Sequence, residues 1–525
     1  MKRLFVATSL GSVALCTLLL VPIQGCTDLN EAPPSQIVPG KFFRDQGEVL
    51  AALAGVYAQL RGTLDDYYNL SEISTDEMVV PTRGQDWYDN GTWLETHRQQ
   101  WTATSPGTLS FMNGAWNTAM GGVARANTFL DAVQNSTVPN IASIRAETRY
   151  LRAFYYYLLM DMFGGVPLAT SSEVMARPRV TRDSVFKFIE SELLAIRPDL
   201  PTTRDAANSG RITRGAVDAM LANIYINAGV FTKEAAGAGG INATAYNSCA
   251  GISVAGGLTA CQAAVNRVDS LLNSGVYQLS DTFAKNFRPD NNLSKENIFV
   301  VKFADATDLG LNFVMRALHY NQFNPSPWNG FAALAQTYNA FSASDARRSI
   351  FLVGPQVNVL TGQPVKDRAG NPLVFTVTIA NVTSATEGEG PRIYKWPADP
   401  NHVAQNNGND YAWFRLSEMY LIKAEAILDG ASGSSTPLNL VKAVRARAFT
   451  SDTLSAVTLP VILRERLFEF AGEGKRRQDL VRFGAYTQPW EWKTNPEGQD
   501  PKRVLMPIPQ GQIDANPLLQ QNPGY

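Results

Sequence analysis

Apolar residues recur at helical spacing within residues 145–168. Positions i, i+3, i+4, i+7 and i+8 share one face of a helix, and here they are Tyr150, Ala153, Phe154, Tyr157 and Leu158. Gly164 and Gly165 follow and end the helix, and Pro167 then forces extended backbone. Because a face this rich in aromatic side chains is unstable in water, the pattern predicts a core helix that other helices cover.

The same periodicity predicts further helices along the chain. They span 46–62, 115–133, 261–272, 411–429, 438–449 and 463–483, and two more begin after the N-cap residues Thr181 and Thr213. The charged residues of 463–483 could pair along that helix. A short strand is predicted from residue 297 to 303, and alternation over 357–382 predicts a β-hairpin that turns at 367–371. The fold class is therefore mainly α, with helix pairs of roughly tetratricopeptide size and a small β-hairpin insertion.

Composition narrows the possible functions. The chain has 525 residues, of which 45% are hydrophobic and 18% charged, as in folded globular proteins. A net charge of −1 argues against a nucleic-acid partner, because such proteins usually carry a large basic excess. Three histidines are too few for a histidine-rich metal site, and we predict neither a metal nor a cofactor.

The N-terminus is predicted to be a targeting signal and not part of the fold. Lys2 and Arg3 precede a mostly apolar run that ends at Gly25-Cys26, which has the form of a lipoprotein signal peptide over residues 1–25. Cys26 would carry the lipid, residues 26–40 would form a polar, proline-bearing tether, and 41–525 would form a single domain. An ordinary signal peptide cut nearby, or an uncleaved anchor, is the alternative.

Two cysteines remain in the body of the chain. Cys249 and Cys261 lie in a Gly-, Ala- and Asn-rich stretch, which is predicted to be a loop up to residue 257 and helical from residue 261. An exported protein can form a disulfide between them, which would clip a surface insertion. Two free thiols are the alternative.

Tryptophan is concentrated in an irregular, Gly-broken region over residues 75–116. Trp87, Tyr88, Trp93, Trp101 and Trp116 all lie there, and a second irregular aromatic region follows at 305–331. Such side chains either pack beneath the loop or form a binding surface. If residues 92–102 are helical, Trp93, His97 and Trp101 share one face.

Motifs of catalysis are missing from the sequence. It contains no Gly-x-Ser-x-Gly elbow, no His-Glu-x-x-His pair and no phosphate-binding glycine loop. Sequence neighbours such as Asp65 and Asp66 do not by themselves make the paired carboxylates of a glycosidase. We therefore predict that the protein is not an enzyme.

Five segments in order resemble the SusD/RagB family of outer-membrane lipoproteins. They are the lipobox with its tether, RAETRYLRAFYYYLLMDMFGGVPL, RITRGAVDAMLANIYINAG, the pair YAWFRLSEMYLIKAEAILDG and ERLFEFAGEGKRRQDLVRFG, and the ending MPIPQGQIDANPLLQQNPGY. The resemblance covers the chain from Cys26 to Tyr525. It implies tetratricopeptide-like helix pairs that scaffold an irregular ligand-binding region.

The resemblance also implies a function. The protein would sit on the outer face of the outer membrane, capture oligosaccharides, and deliver them to a SusC-like TonB-dependent transporter without cleaving them. In some relatives the cargo would be peptides. A structural lipoprotein scaffold, whose helix pairs hold other membrane proteins, is a further alternative, although it would not explain the Trp-rich loops.

In this family the binding surface lies outside the helix pairs, which points to the loops at 75–116 and 305–331. A sugar ring has an apolar C–H face and a hydroxyl rim, so it is recognised by flat aromatic rings with polar groups beside them. We expect Trp87 or Trp93 to be the aromatic platform and Arg83, Asp86 and His97 to be hydroxyl partners. The second loop would contribute Tyr320, Trp328 and Asn329.

Overall fold

The structure is a computed structural model that describes residues 43, 45–237 and 239–525. The predicted signal peptide over 1–25, the lipidation site Cys26 and the tether over 26–40 lie outside the described residues. Among the described residues, no helix has both the length and the apolar character needed to cross a lipid bilayer.

Helices make up most of the first half of the described chain. In order they are α1 (Gln46–Ala58), α2 (Asp66–Ile73), α3 (Thr92–His97), α4 (Thr108–Ala132), α5 (Ile141–Phe163), α6 (Arg182–Ile196), α7 (Arg214–Ile226), α8 (Ala228–Phe231) and α9 (Ala260–Asn273). The side chains of Thr181, Thr213 and Thr259 accept hydrogen bonds from backbone N–H groups in the first turns of α6, α7 and α9. These caps satisfy donors that have no partner within the helix, and two of them were predicted from the sequence.

The second half is more irregular. Its helices are α10 (Phe313–Ala317), α11 (Ala335–Ala340), α12 (Leu416–Leu428), α13 (Pro437–Arg445), α14 (Leu459–Phe470), α15 (Arg476–Arg482) and α16 (Gln510–Ala515). Helices α4, α5 and α6 pack side by side, and α7, α9, α12 and α13 form a second series. These layers of antiparallel neighbours form the predicted tetratricopeptide-like scaffold.

Four short antiparallel strand pairs accompany the helices. They join β1 (Met78–Val79) to β3 (Ala332–Ala333), β2 (Asn297–Val301) to β8 (Tyr411–Arg415), β4 (Phe351–Leu352) to β7 (Arg392–Ile393), and β5 (Gly354–Pro355) to β6 (Val374–Phe375). The pair β5–β6 closes the base of the predicted hairpin. We call the segment from 354 to 390 the arm.

Helix α5 is the core helix that the sequence pattern predicted. Its residues from Tyr150 to Phe163 are all buried. The β2–β8 pair covers part of the aromatic face: Phe154 lies 4.9 Å from Trp413 between ring centroids, and Tyr150 lies 5.2 Å from Phe299. The prediction that only helices cover this face is therefore corrected, because two strands contribute.

Two predicted helices are divided in the structure. Residues 411–415 form β8 rather than the start of a helix, because they pair with β2 and are buried on both faces. The stretch 463–483 separates into α14 and α15 at Gly472 and Gly474, whose φ angles of 78° and 67° are left-handed. Neither break follows from local periodicity alone.

Most charged residues of 463–483 pair across elements and are buried. One pair along a helix, as the sequence suggested, is Asp479 with Arg482 at 2.9 Å in α15. Arg347 contacts Glu465 at 2.7 Å and Glu469 at 3.1 Å, and Arg415 contacts Glu469 at 3.0 Å and Glu473 at 2.7 Å. These side chains are almost completely excluded from water. The ion pairs therefore tie α14 and the turn after it to the irregular second half of the chain.

Cys249 and Cys261 are joined by a disulfide, with a Cα–Cα distance of 5.1 Å. Both are buried, Cys249 in the loop before α9 and Cys261 in the first turn of α9. The Asp429 carboxylate accepts hydrogen bonds from the Ser248 hydroxyl and the Cys249 N–H. Cys249, Cys261 and Asp429 lie close together, but the two sulfur atoms are bonded to each other and are not free to bind a metal ion. The disulfide is therefore a covalent clip.

Candidate binding surface

The two irregular aromatic regions meet in space. Strand β1 belongs to the first region and pairs with β3, which directly follows the second, with Met78 opposite Ala333 and Val79 opposite Ala332. Above this pair, four rings form a cluster with centroid separations of 4.9–6.0 Å: Trp87, Trp93, Phe111 and Phe331. The cluster joins residues more than 200 positions apart.

The segment 328–330 is fixed by the end of α10. The backbone N–H groups of Trp328, Asn329 and Gly330 donate to the carbonyls of Met315 (2.7 Å), Leu318 (2.9 Å) and Arg316 (2.9 Å). The last carbonyls of a helix have no partner within it, so this segment both satisfies them and gains a defined path.

Trp87 connects the two regions. Its φ angle is 64°, its indole N–H donates to the Trp328 carbonyl at 2.6 Å, and its ring is partly buried. A Cβ added at Gly330 would lie 2.4 Å from the Trp87 ring, so only glycine allows the indole to lie across this backbone. Trp87 therefore supports the surface and leaves only part of its ring open.

Two aromatic side chains beside this cluster are exposed to solvent. Tyr88 is 60% exposed and Trp328 is 36% exposed, which is unusual for such large rings in a folded chain. Tyr88 follows Trp87 in the chain, and the Trp328 carbonyl accepts from the Trp87 indole, so both are attached to the cluster through Trp87.

A row of charged groups borders the aromatic surface. The Tyr320 hydroxyl donates to Asp86 at 2.5 Å, and the Arg368 guanidinium lies 4.1 Å above the Tyr320 ring. Arg368 also contacts Asp86 at 3.3 Å and donates through Nε to Glu387. We call Asp86, Arg368 and Glu387 the charged row.

The ionisation of the charged row follows from its contacts. Burial raises the pKa of Glu387, but hydrogen bonds from the Arg368 N–H, from His319 and from the Arg368 side chain outweigh burial and hold the pKa at about 2. Burial lowers the pKa of His319 despite the nearby Glu387. His319 is therefore neutral: Nε2–H donates to Glu387 at 2.9 Å, while Nδ1 accepts from the Asn321 N–H at 3.2 Å. Burial, together with Asp86, raises the pKa of Tyr320 to about 12.

Arg83 and Asn329 were predicted ligand contacts, but both are buried and used inside the protein. Arg83 donates to the carbonyls of Asn329 (3.0 Å), Thr386 and Glu389 (2.8 Å). Asn329 has a φ angle of 53°, donates to the Glu387 carbonyl at 3.1 Å and accepts from Arg392 at 3.0 Å. Both therefore hold the end of the arm, and their side chains are not exposed at the surface.

His97 and Trp93 are also withdrawn from the surface. The ring nitrogens of His97 lie 3.0 Å from the carbonyls of Ile73, Met78 and Glu491, and the side chain has no exposed area. Trp93 is 8% exposed and donates from its indole to Asp89 at 2.7 Å. Trp101 lies beyond the end of α3, so the predicted face of Trp93, His97 and Trp101 does not form.

Of the predicted contacts, Asp86, Trp87, Tyr320 and Trp328 are brought together at the surface. Sequence reasoning missed Tyr88, Arg368 and Glu387 as members of the site. Tyr88 stands in the predicted aromatic region, so its neighbours were a usable signal. Arg368 lies at the turn of the predicted hairpin, and no local pattern indicates that the arm folds back onto Tyr320.

Comparison with known proteins places this fold in a family. A profile described as "SusD family" matches residues 336–525, and one described as "Starch-binding associating with outer membrane" matches residues 29–226. The starch-binding protein SusD of Bacteroides thetaiotaomicron is 24% identical over 590 residues, covering 98% of this chain and 98% of that protein. SusD-like protein P2 of Formosa agariphila is 24% identical, covering 97% of this chain and 98% of that protein.

Solved structures share the architecture. A laminarin-binding SusD-like protein superposes with a TM-score of 0.71 at 22% identity, over 92% of this chain and 100% of that one. Surface glycan-binding protein A from Bacteroides thetaiotaomicron gives a TM-score of 0.71 at 21% identity, with the same coverage. With family profiles over both ends of the chain, full-length relatives and a shared fold, this chain belongs to the SusD family.

Proposed function

We propose that this protein is a cell-surface lipoprotein that captures oligosaccharides and delivers them to a SusC-like TonB-dependent transporter. The observation that carries the proposal is the exposure of Tyr88 and Trp328 on one rigid surface beside the polar groups of Asp86, Arg368 and Tyr320. Relatives described as starch-binding and laminarin-binding support the same class of cargo.

Each aromatic ring would hold one sugar by its C–H face. Covering one face removes on the order of 100 Å² of apolar surface from water, worth roughly 2.5 kcal/mol before the cost of ordering the ligand. The Asp86 carboxylate would accept a hydrogen bond from a sugar hydroxyl at the rim of such a ring. Because each contact is weak, a chain of several sugars is held better than one.

The charged row supports capture without cleavage. A glycosidase needs one carboxylic acid that is protonated at working pH, together with a second carboxylate across a cleft. Glu387 has a pKa of about 2 and is ionised, and both Glu387 and Asp86 are bridged by Arg368. Glu387 is therefore not available as the acid that protonates a leaving group.

The anchor and the partner complete the proposal. Cleavage after residue 25 and lipidation of Cys26 would hold the body outside the outer membrane, where more than one acyl chain gives stable attachment. The family profile described as associating with the outer membrane supports this location. The transporter would receive the cargo from the aromatic surface.

The test is calorimetric binding of the body from Thr27 onward to a panel of glycans and peptides, with each mixture assayed for product. We expect one glycan class to bind without turnover. Replacing both Tyr88 and Trp328 by alanine should weaken binding at least about tenfold, equal to about 1.4 kcal/mol. Leu293→Ala, at another exposed apolar residue, is the matched control.

Other outcomes would redirect the proposal. Binding of peptides alone would assign peptide cargo to the same surface. Turnover would contradict the non-enzymatic role. Glycan binding that is unchanged in the double variant would remove the site from Tyr88 and Trp328.

A further inference from the structure

The arginines at the candidate surface are committed to partners. Arg368 is the arginine that faces solvent, with its side chain 52% exposed, and it is shared between Asp86 and Glu387. The neighbouring residues Lys366 and Asp367 carry opposite charges. The charged row itself contains two carboxylates and one guanidinium, so it presents a net charge of −1 to a ligand.

The two arginines behind the row offer a ligand no hydrogen bonds. Arg83 donates through Nε, Nη1 and Nη2 to backbone carbonyls, and Arg392 donates through Nη1 and Nη2 to the carbonyls of Glu387, Glu389 and Gly390 and to Asn329. Both are buried. Binding an anionic group well requires a guanidinium or ammonium with free donors, and these two have no exposed donors.

Arg368 also alters which rings can hold sugars. Its guanidinium covers the face of Tyr320 at 4.1 Å, so a sugar would have to displace Arg368 from both carboxylates to stack there. The open platforms are therefore Tyr88 and Trp328, and the ligand passes along the charged row with Asp86, whose side chain is 40% exposed, as its acceptor.

From this arrangement we propose that the site selects uncharged oligosaccharides and discriminates against chains that carry carboxylate or sulfate groups, with Asp86 and Glu387 as the specificity-determining residues. The inference rests on the proposed glycan capture and specifies its cargo. Hydroxyl groups donate to carboxylates, whereas a second anion only repels them. An anionic group on the ligand, a few ångströms from the charged row and partly screened by salt, should weaken binding at least about fivefold compared with an uncharged group.

The experiment compares hexasaccharides in pairs of equal linkage, one neutral and one anionic. The pairs are galactohexaose with hexagalacturonate, mannohexaose with hexamannuronate, and laminarihexaose with its sulfated derivative. Binding is measured by calorimetry on the body from Thr27 onward at about 50 mM and 500 mM NaCl, where the screening length differs severalfold. In each pair that binds, we expect the neutral member to bind at least about fivefold more tightly at low salt. The gap should narrow at high salt because salt screens the repulsion.

Charge-neutralising variants identify the residues responsible. In the variant that combines Asp86→Asn with Glu387→Gln, the charged row has a net positive charge. The ratio of the affinity for the anionic hexasaccharide to the affinity for its neutral partner should rise severalfold, even if both affinities change. Glu173→Gln, which removes an exposed carboxylate on the loop between α5 and α6, should leave that ratio unchanged.

The outcomes separate the two proposals. Equal or tighter binding of the anionic members at low salt would overturn charge selection while leaving glycan capture intact. An unchanged ratio in the double variant would overturn the role of Asp86 and Glu387. If no hexasaccharide binds, glycan capture itself fails, and charge selection fails with it.

Discussion

Trp87 adopts a left-handed backbone conformation, with φ at 64°, that bulky residues rarely take. Asp89, Asn90 and Asn329 share this geometry within the same surface. Such conformations cost on the order of 1 kcal/mol each and persist where the surroundings fix them. At the candidate surface they are fixed by the indole hydrogen bond, by the ring cluster and by the contacts of Asn329.

Gly330 is the simplest residue-scale test of this arrangement. In Gly330→Ala the new methyl group would collide with the Trp87 ring, so we expect the indole to leave its position and glycan affinity to fall about tenfold or more. Binding calorimetry and Trp fluorescence would measure this change.

The matched control is Gly55→Ala, because a Cβ there meets no atom within 4 Å and the position is helical. That change should leave binding intact and stabilise the fold by roughly 0.5–1 kcal/mol. Unaltered binding in Gly330→Ala would show that the Trp87 position does not matter to the ligand.

The sequence indicated which residues are exposed where exposure depends on local surroundings, but not where the partner is distant. Trp328 and Asp86 lie in broken, polar stretches and are exposed in the structure, while their contact with a ligand stays a prediction. The burial of Arg83 and Asn329 was not foreseen, because their partners, the carbonyls at 386–389, are supplied by the arm. A buried arginine and an exposed one look alike in a sequence.

At the scale of elements, periodicity predicted the helices of the scaffold well. It failed at 411–415 and at 471–475, where pairing with β2 and two left-handed glycines override the helical pattern. The turn between α14 and α15 is held by two buried carboxyl groups: Glu77 accepts from the Gly472 N–H at 3.0 Å, and Glu72 accepts from the Gly474 N–H.

This carboxyl pair predicts a pH dependence of stability. Burial raises the pKa of both Glu72 and Glu77, and the charge of Glu72 raises that of Glu77 further. Above about pH 4.5 the unfolded chain releases protons from these two carboxyl groups, while the folded protein still holds them. The pair therefore makes the free energy of unfolding fall as the pH rises from about 4.5 toward neutrality. The slope is at most about 1.4 kcal/mol per pH unit for each proton.

Urea unfolding at pH 5, 6 and 7 would measure this slope. His97 changes the free energy of unfolding in the opposite direction, because burial lowers its pKa. The stability that His97 contributes is lost as the pH falls below about 6.5. The comparison therefore uses Glu72→Gln combined with Glu77→Gln, which should make the fall smaller, and Glu173→Gln, which should keep it. Part of the fall should remain in the double variant, because burial also raises the pKa of Asp66 to about 7. Equal slopes in all three proteins would contradict the raised pKa values of Glu72 and Glu77.

The disulfide gives a second prediction at this scale. Replacing both Cys249 and Cys261 by serine should lower the free energy of unfolding by about 3 kcal/mol, because the clip restricts the unfolded chain. Glycan affinity should not change, since Tyr88, Trp328 and the charged row make no contact with this loop. Denaturant unfolding and calorimetry of the same samples would check both statements. A loss of affinity would indicate coupling between the loop and the surface.

For the whole molecule, the family resemblance in the sequence predicted more than physical patterns did. Helix periodicity gave an array of helix pairs, but the convergence of 75–116, 305–331 and the arm depends on contacts between residues hundreds of positions apart. Such contacts leave no local trace. The tetratricopeptide-like scaffold positions these loops, while the loops themselves supply the surface.

Anchoring is tested at the scale of the whole protein. Cys26→Ser should shift the protein from the membrane fraction to the soluble fraction of cells, because the lipid chains would supply the attachment. Immunoblots of the two fractions would measure the shift, and Cys16→Ser, within the predicted signal peptide, is the control. Membrane retention of the Cys26→Ser protein would contradict lipid anchoring at this residue.

The most direct measurement is a crystal structure of the body from Thr27 onward with the glycan that binds it most tightly. We predict a sugar ring stacked on Trp328, another near Tyr88, and a hydroxyl group within hydrogen-bonding distance of Asp86. A glycan seated elsewhere, such as the groove of about 610 Å³ between α1 and residues 207–211, with the aromatic surface empty, would contradict the account.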